Sequence, residues 1–193
     1  VNKKYSKTLY QLFEQELKVH WPHFKRTKRK PDLGRGYVWT FQGVANVFLF
    51  LRLDLKGRER FFCDLGWSRI ADYPQKDWFD FRFPHLNSKS AFGEAEMIAG
   101  IQRLWGDNGV GAWNIPDPVE AFNPLEYSHD PEAGGREFAR RVNLQAALTE
   151  EDAEKLVRPV VDDLFKRLAS DVMPYLLEYL EFTRTQATPS GEV

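Results

Sequence analysis

The apolar positions of this chain change period along its length, and each period predicts a different element. Tyr5, Leu9, Leu12, Phe13 and Leu17 recur every three or four residues among Lys, Gln and Glu, which predicts an amphipathic helix that packs by one face. Pro22 and Pro31 each disfavour helix at the residue before them, so "HWPHFKRTKRKPD" ends the helix and its basic cluster reads as mostly connection. The segments "GYVWTFQ" (36–42), "NVFLFLRLDL" (46–55) and "RERFFCDLGW" (58–67) are dense in β-branched and aromatic residues and are separated by "GVA" and "KG". They predict three antiparallel strands in a meander. In the second strand Leu49, Leu51, Leu53 and Leu55 share one face, and Phe48, Phe50, Arg52, Asp54 and Lys56 share the other. The leucine face predicts the core, while the other grades from buried to polar. A fourth strand is expected at 78–83, where Phe79, Phe81 and Phe83 alternate with Asp80 and Arg82, and a helix from Glu94 to Trp105.

Periodicity then stops. Beyond Gly106 come Gly109, Gly111, Pro116, Pro118, Pro124, Pro131, Gly134 and Gly135. Roughly thirty irregular residues inside a compact domain point to a functional or mobile loop. This one carries Trp113, Phe122 and Tyr127 after Trp105 at its start, which a plain linker would not need. From Thr149 the helical period returns. Thr149 with Asp152 forms a capping-box-like start, with a side chain one methylene shorter than the usual Glu. Ala153, Leu156, Val157, Val160, Val161, Leu164, Phe165, Leu168, Val172, Met173, Leu176, Leu177 and Leu180 then hold one phase past Pro159 and Pro174. A phase that survives two prolines predicts kinked or tightly coupled helical segments. The expected organisation is a single domain over 1–184 and a disordered tail over 185–193.

With 193 residues, 42% apolar and 15% aromatic, the chain has enough material for one core. The longest apolar run, "VFLFL", is strand length, so no membrane span is expected. The first residues are positively charged with no apolar stretch behind them, so no signal peptide is read there. Cys63 is the single cysteine and cannot form an internal disulfide, which makes a reducing, cytoplasmic setting the default. The net charge of −1 hides a division: 15 Lys or Arg face 6 Asp or Glu through Arg69, and 12 face 22 beyond it. Either the two halves pack and neutralise each other, or the basic half faces an acidic partner or a phosphate backbone.

Candidate chemistry is sparse. Pro31-Asp32 followed by Asp54 and Lys56 matches the PD-(D/E)xK pattern of nucleases, in which two carboxylates hold a divalent metal and a lysine positions the attacking water. A hairpin turning near Val44 would bring Asp32 towards Asp54 and Lys56. Against this, "KG" leads straight into another strand where that family has a helical crossover, and a polar hairpin end explains the same residues. His20 and His23 have ligand-like spacing but no third ligand nearby, so no metal and no cofactor is expected. Cys63 reads as a small buried hydrophobe. "GDNGVGAW" lacks the Lys-Ser/Thr of a P-loop and reads as a turn cluster. Lys25, Arg26, Lys28, Arg29 and Lys30 form a basic patch with Trp21, Phe24, Tyr37 and Trp39 at its edges. Nucleic-acid grips pair such charges with exposed aromatics, but these aromatics occupy positions a core would claim. The patch therefore reads first as a solvated helix-to-strand connection, with nucleic acid or an acidic protein as the alternatives.

Residues 5–69 resemble the N-terminal half of a family of uncharacterised bacterial proteins, in which an amphipathic helix leads into a basic segment, aromatic strands and an Asn-Leu-Gly strand end. Phe24, Lys25 and Arg26 match the basic segment, with His23 where the family has glycine, and Asp64, Leu65 and Gly66 stand at the strand end. The resemblance implies a bacterial cytosolic α+β protein and no mechanism.

The fold expected from these patterns is α+β: an antiparallel sheet of three to five strands packed by an N-terminal helix and a long, proline-kinked C-terminal helical segment. The expected function is a non-enzymatic protein-binding module of the accessory or immunity type, using Trp105, Trp113, Phe122 and Tyr127. The alternatives are a metal-dependent nuclease and a nucleic-acid-binding protein without catalysis.

Overall fold

The computed structural model describes residues 3–28, 34–54, 59–72, 89–105, 112–116 and 124–187. Its elements run α1 (Lys3–His20), β1 (Lys25–Arg26), β2 (Gly34–Phe41), β3 (Ala45–Leu53), β4 (Arg60–Ser68), β5 (Glu96–Gly100), β6 (Trp113–Asn114), α2 (Pro131–Ala147), α3 (Glu150–Arg167) and α4 (Met173–Ala187). All strand pairs are antiparallel, in the order β1-β2-β3-β4-β5. β5 pairs with the second part of β4, from Asp64 to Ser68, while β6 pairs with its start at Arg60 and Phe61. The α+β class stands, with an N-terminal helix and a long C-terminal helical run.

The meander follows the alternation in the sequence. Between β2 and β3 the chain reverses through Gln42 and Gly43, both with positive φ (46° and 72°), closed by Val44 N–H donating to Phe41 O at 2.8 Å. Glycine carries the left-handed conformation without steric cost, and the twist of such a turn matches that of the flanking strands. One sheet face presents Tyr37, Val47, Leu49, Leu51, Phe61, Cys63, Leu65, Trp67, Met97 and Ala99 to a core completed by α1, α3 and α4. On the opposite face Phe48 and Phe50 stack with ring centroids 5.6 Å apart, both fully buried, so that face is also covered at its centre. Towards its end it becomes polar. There Arg52 pairs with Asp64, a carboxyl that burial pushes above its ordinary pKa and the guanidinium pulls back.

The helices close the core with aromatic contacts. Phe165 of α3 meets Phe13 of α1 edge-on at 5.2 Å and stacks on Trp21 at 5.6 Å, while Tyr179 of α4 stacks on Trp67 of β4 at 4.1 Å. The charge division is partly neutralised where α1 and α3 meet, through the Lys7–Glu150 ion pair. The expected capping box is present: Asp152 N–H donates to Thr149 Oγ1 at 3.0 Å, and Thr149 N–H donates to the Asp152 carboxylate at 3.1 Å.

The helix runs through Pro159 and reaches Pro174 by way of a π-helical turn, Leu168–Val172. Met173 N–H bonds five residues back to Leu168 O. Pro174 supplies no N–H and its ring would press on the preceding turn, so a widened turn there satisfies the backbone while the apolar stripe continues.

Three expectations need correction. The helix expected over 94–105 is strand β5 followed by a 3-10 turn, Ile101–Trp105, because β5 completes the edge of β4 and backbone pairing outweighs a pattern broken by Gly100. The aperiodic stretch ends earlier than expected. α2 begins at Pro131, capped by the Asp130 carboxylate accepting from Ala133 N–H at 2.9 Å, and it carries Gly134 and Gly135 inside it. Within the basic segment, expected to be mostly connection, Lys25 and Arg26 pair with β2. α4 extends to Ala187, so 185–187 of the expected tail are helical. The strand expected at 78–83 and residues 188–193 lie outside the described residues.

Two measurements test this packing. Leu164 is fully buried between the helices and the sheet, so Leu164→Ala is expected to cost about 2–5 kcal/mol in a denaturant melt. Burial also raises the phenols: Tyr179 is pushed up to about 12, and Tyr37 and Tyr175 rise further in the same direction. The folded state thus favours protonated phenols that the unfolded chain ionises near 10. Stability is expected to be unaffected by these groups below pH 10 and to fall as pH rises from there through about 12. In a 295 nm titration, these phenols should ionise together with the loss of near-UV circular dichroism.

Candidate binding cleft

The 3-10 turn after β5 and strand β6 lie against α3, and between them runs a cleft of about 420 Å³ lined by Gln102, Trp105, Ala112, Trp113, Asn114, Pro159, Val160, Asp163 and Arg167. Helical spacing assembles one wall. Val160, Asp163 and Arg167 stand on one side of α3, and Asp171 follows in the π turn. The opposite wall comes from the aromatic stretch, and two indole N–H groups tie it to the helix. Trp113 Nε1 donates to Asp163 Oδ2 at 3.0 Å and Trp105 Nε1 to Asp171 Oδ2 at 2.8 Å. Arg167 lies 5.1 Å over the Trp105 ring and donates from Nε to Asp163 Oδ2 at 3.2 Å. Trp113, nearly buried, stacks on Phe61 of β4 at 5.9 Å. The walls are thereby held before anything binds.

Gln102 is the exception in this satisfied network. It is 7% exposed, and its Nε2 makes no hydrogen bond. The amide packs close to the end of β5: a Cβ at Gly100 would come within 2.8 Å of Gln102 Oε1, so a side chain there would push the amide from its present position. A buried amide donor without an acceptor is costly, and this one lines the cleft, where an incoming acceptor would satisfy it.

The sequence-derived candidates fall into place unevenly. Trp105 and Trp113 come together, as walls of the cleft and not as exposed prongs. Tyr127 lies in the helical turn Pro124–Tyr127 before α2 and is not among the cleft-lining residues, and Phe122 lies outside the described residues. Gln102, Asp163, Arg167 and Asp171 were not foreseen. For Asp163, Arg167 and Asp171 the only signal was a polar stripe at four-residue spacing along α3 and the turn after it, which reads equally as a solvated face.

Of the nuclease-like set, Asp54 forms an ion pair with Arg60, and its backbone N–H donates to Arg60 O at 3.1 Å. Asp32 and Lys56 lie outside the described residues. Among the described residues no group of three or more His, Cys, Asp or Glu is arranged to hold a metal ion. His20 pairs with Glu16 at 3.4 Å and His23 stacks on Trp39 at 5.3 Å, so both imidazoles are engaged in packing. Cys63 is fully buried, and burial pushes its thiol well above the ordinary value, away from a reactive thiolate. In the basic patch, Lys25 Nζ donates to Pro22 O at 2.9 Å, Arg26 stands 3.9 Å from Glu14, Lys28 is exposed, and Arg29 and Lys30 lie outside the described residues. Among the described residues no helix is long and apolar enough to cross a membrane.

No family model, no curated protein and no solved structure matches this chain. Its function has to be argued from the cleft.

If the Gln102 amide is an unsatisfied donor in the free protein, removing it should help the fold. Gln102→Leu, of similar volume, is expected to raise stability by about 1 kcal/mol, or about 2–4 °C in a thermal melt for a chain of this size. A drop in melting temperature would show that the amide is already satisfied.

Proposed function

We propose that the protein is a binding module without catalysis that engages a protein partner through the cleft between α3 and the Trp105–Asn114 wall. The observation that carries this reading is the Gln102 donor, held nine-tenths buried with no acceptor, in a concave site where the Trp105, Trp113, Asp163, Arg167 and Asp171 side chains are paired with one another. A partner carbonyl or carboxylate seated on it would complete its hydrogen bonding. Indole and guanidinium groups, which dominate the strongest contacts in protein interfaces, form the surroundings. Their mutual bonds fix their rotamers beforehand, so less side-chain entropy is lost on binding.

A photo-crosslinking residue at Asn114, exposed at the cleft, tests this in lysate of the source organism, with Val19 on α1 as a second position that is 74% exposed. The expected result is a discrete protein adduct from position 114 and not from position 19, lost when Gln102→Leu is added. Since that substitution should not weaken the fold, its effect reports on recognition. Equal adducts from both positions, or an adduct indifferent to Gln102→Leu, would overturn the proposal.

A further inference from the structure

A second concave site lies where α1, β1 and the start of β2 meet. It encloses about 540 Å³ and is lined by Tyr10 of α1, Arg26, Thr27 and Lys28 at and after β1, and Gly34, Arg35 and Gly36 of β2. Three cationic side chains, Arg26, Lys28 and Arg35, line it, and among the described residues Glu14 is the carboxylate that faces the two arginines.

The bonding is uneven. A single oxygen, Glu14 Oε1, accepts from Arg35 at 2.8 Å and from the Tyr37 hydroxyl at 3.1 Å, and lies 3.9 Å from Arg26, beyond hydrogen-bond reach. Arg35 is also fixed from the side, with its guanidinium 4.1 Å over the Tyr10 ring. One arginine is thus held in a set orientation, while Arg26 and Lys28 remain exposed around the same pocket. Among the described residues, three positive charges against one negative leave an excess of two. We infer that this pocket is a recognition site for the phosphate group of a small phosphorylated molecule.

The charge excess matches a phosphate dianion, and guanidinium forks suit its oxygens. The pre-set Arg35 lowers the ordering cost. Nucleic acid carries the same chemistry but fits less well. Binding single strands takes aromatic faces open for base stacking, and the aromatics around the basic segment are already stacked. Trp21 lies on Phe165, Trp39 meets His23, Phe24 and Phe41, and Phe24 is buried. The site is a pocket of charge next to an engaged aromatic cluster, and it stands independently of the Gln102 cleft.

Isothermal titration with inorganic pyrophosphate at about physiological salt tests the assignment, with a single-stranded oligonucleotide titrated at equal phosphate concentration. Saturable one-to-one pyrophosphate binding is expected. The double variant Arg26→Gln/Lys28→Gln, at exposed positions, should weaken it about tenfold or more, the loss expected for charge-assisted hydrogen bonds. Glu14→Gln should tighten it several-fold. That change keeps an acceptor for Arg35 and Tyr37 while removing the competing charge, an effect opposite in sign to that of simple structural damage. Absence of pyrophosphate binding at millimolar concentration would overturn the inference, as would binding indifferent to both variants. So would preferential oligonucleotide binding with the steep salt dependence of a phosphate backbone.

Discussion

The structure depends on one constraint: an apolar helical stripe from Ala153 to Leu180 must lie on the sheet without losing phase across two prolines. Nearly every large side chain of the core touches this stripe or the sheet face beneath it, from Phe165 against Phe13 to Tyr179 on Trp67. A rigid α-helix could not meet the constraint at Pro174, where a donor is missing and the ring crowds the turn before it. The π turn at Leu168–Val172 meets it instead, with Leu168, Val172, Met173 and Leu176 still buried. The same turn holds Asp171, which takes the Trp105 indole N–H. Backbone relief and the anchoring of one cleft wall therefore come from the same five residues.

The cleft is an incomplete version of the core beside it. Asp163 and Asp171 each accept an indole N–H, Arg167 covers one indole and bonds one of those carboxylates, and Phe61 backs the other indole. Such mutual satisfaction normally extends through an interior. It stops at Gln102, where Gly100 leaves room for an amide whose donor finds nothing. Sites that tolerate a destabilising group in the free protein are commonly the ones that use it in a complex. The basic pocket has a different character: its excess is charge and not an unmet hydrogen bond, and it belongs to the first 69 residues, where the cationic surplus lies.

How much of this was legible in the sequence varies with the range of the interactions. α1, the three-strand meander and the capping box at Thr149 are local patterns, and they read correctly because their residues sit within a turn or a strand of one another. β5 did not read correctly. Met97, Ile98 and Ala99 suit a helix or a strand equally, and the unpaired edge of β4 thirty residues earlier decided between them. α2 was missed because its two glycines argue against helix, while its Asp130 cap and Pro131 start are short signals. Trp105 and Trp113 were singled out as surplus aromatics, but their role as tethered walls depends on carboxylates 66 and 50 residues away. No periodicity records a pairing of that range. Gln102 carried no signal at all, since its meaning lies wholly in the lack of a neighbour.

The two-residue strand β1 has a consequence for how molecules of this protein meet one another. An open sheet offers its outermost strand to any extended chain that can add to it, and β2 is eight residues long and rich in aromatic side chains. Among the described residues, β1 pairs with it at Tyr37 and Val38 and Thr27 N–H adds a bond to Gly36 O at 2.9 Å, and both residues of β1, Lys25 and Arg26, are exposed cations. A strand so short gives a neighbour almost no ladder to extend, and two like charges repel the same edge of a second copy. Arg26, which gives one pocket part of its charge, thus also helps to keep this margin of the sheet from propagating between molecules.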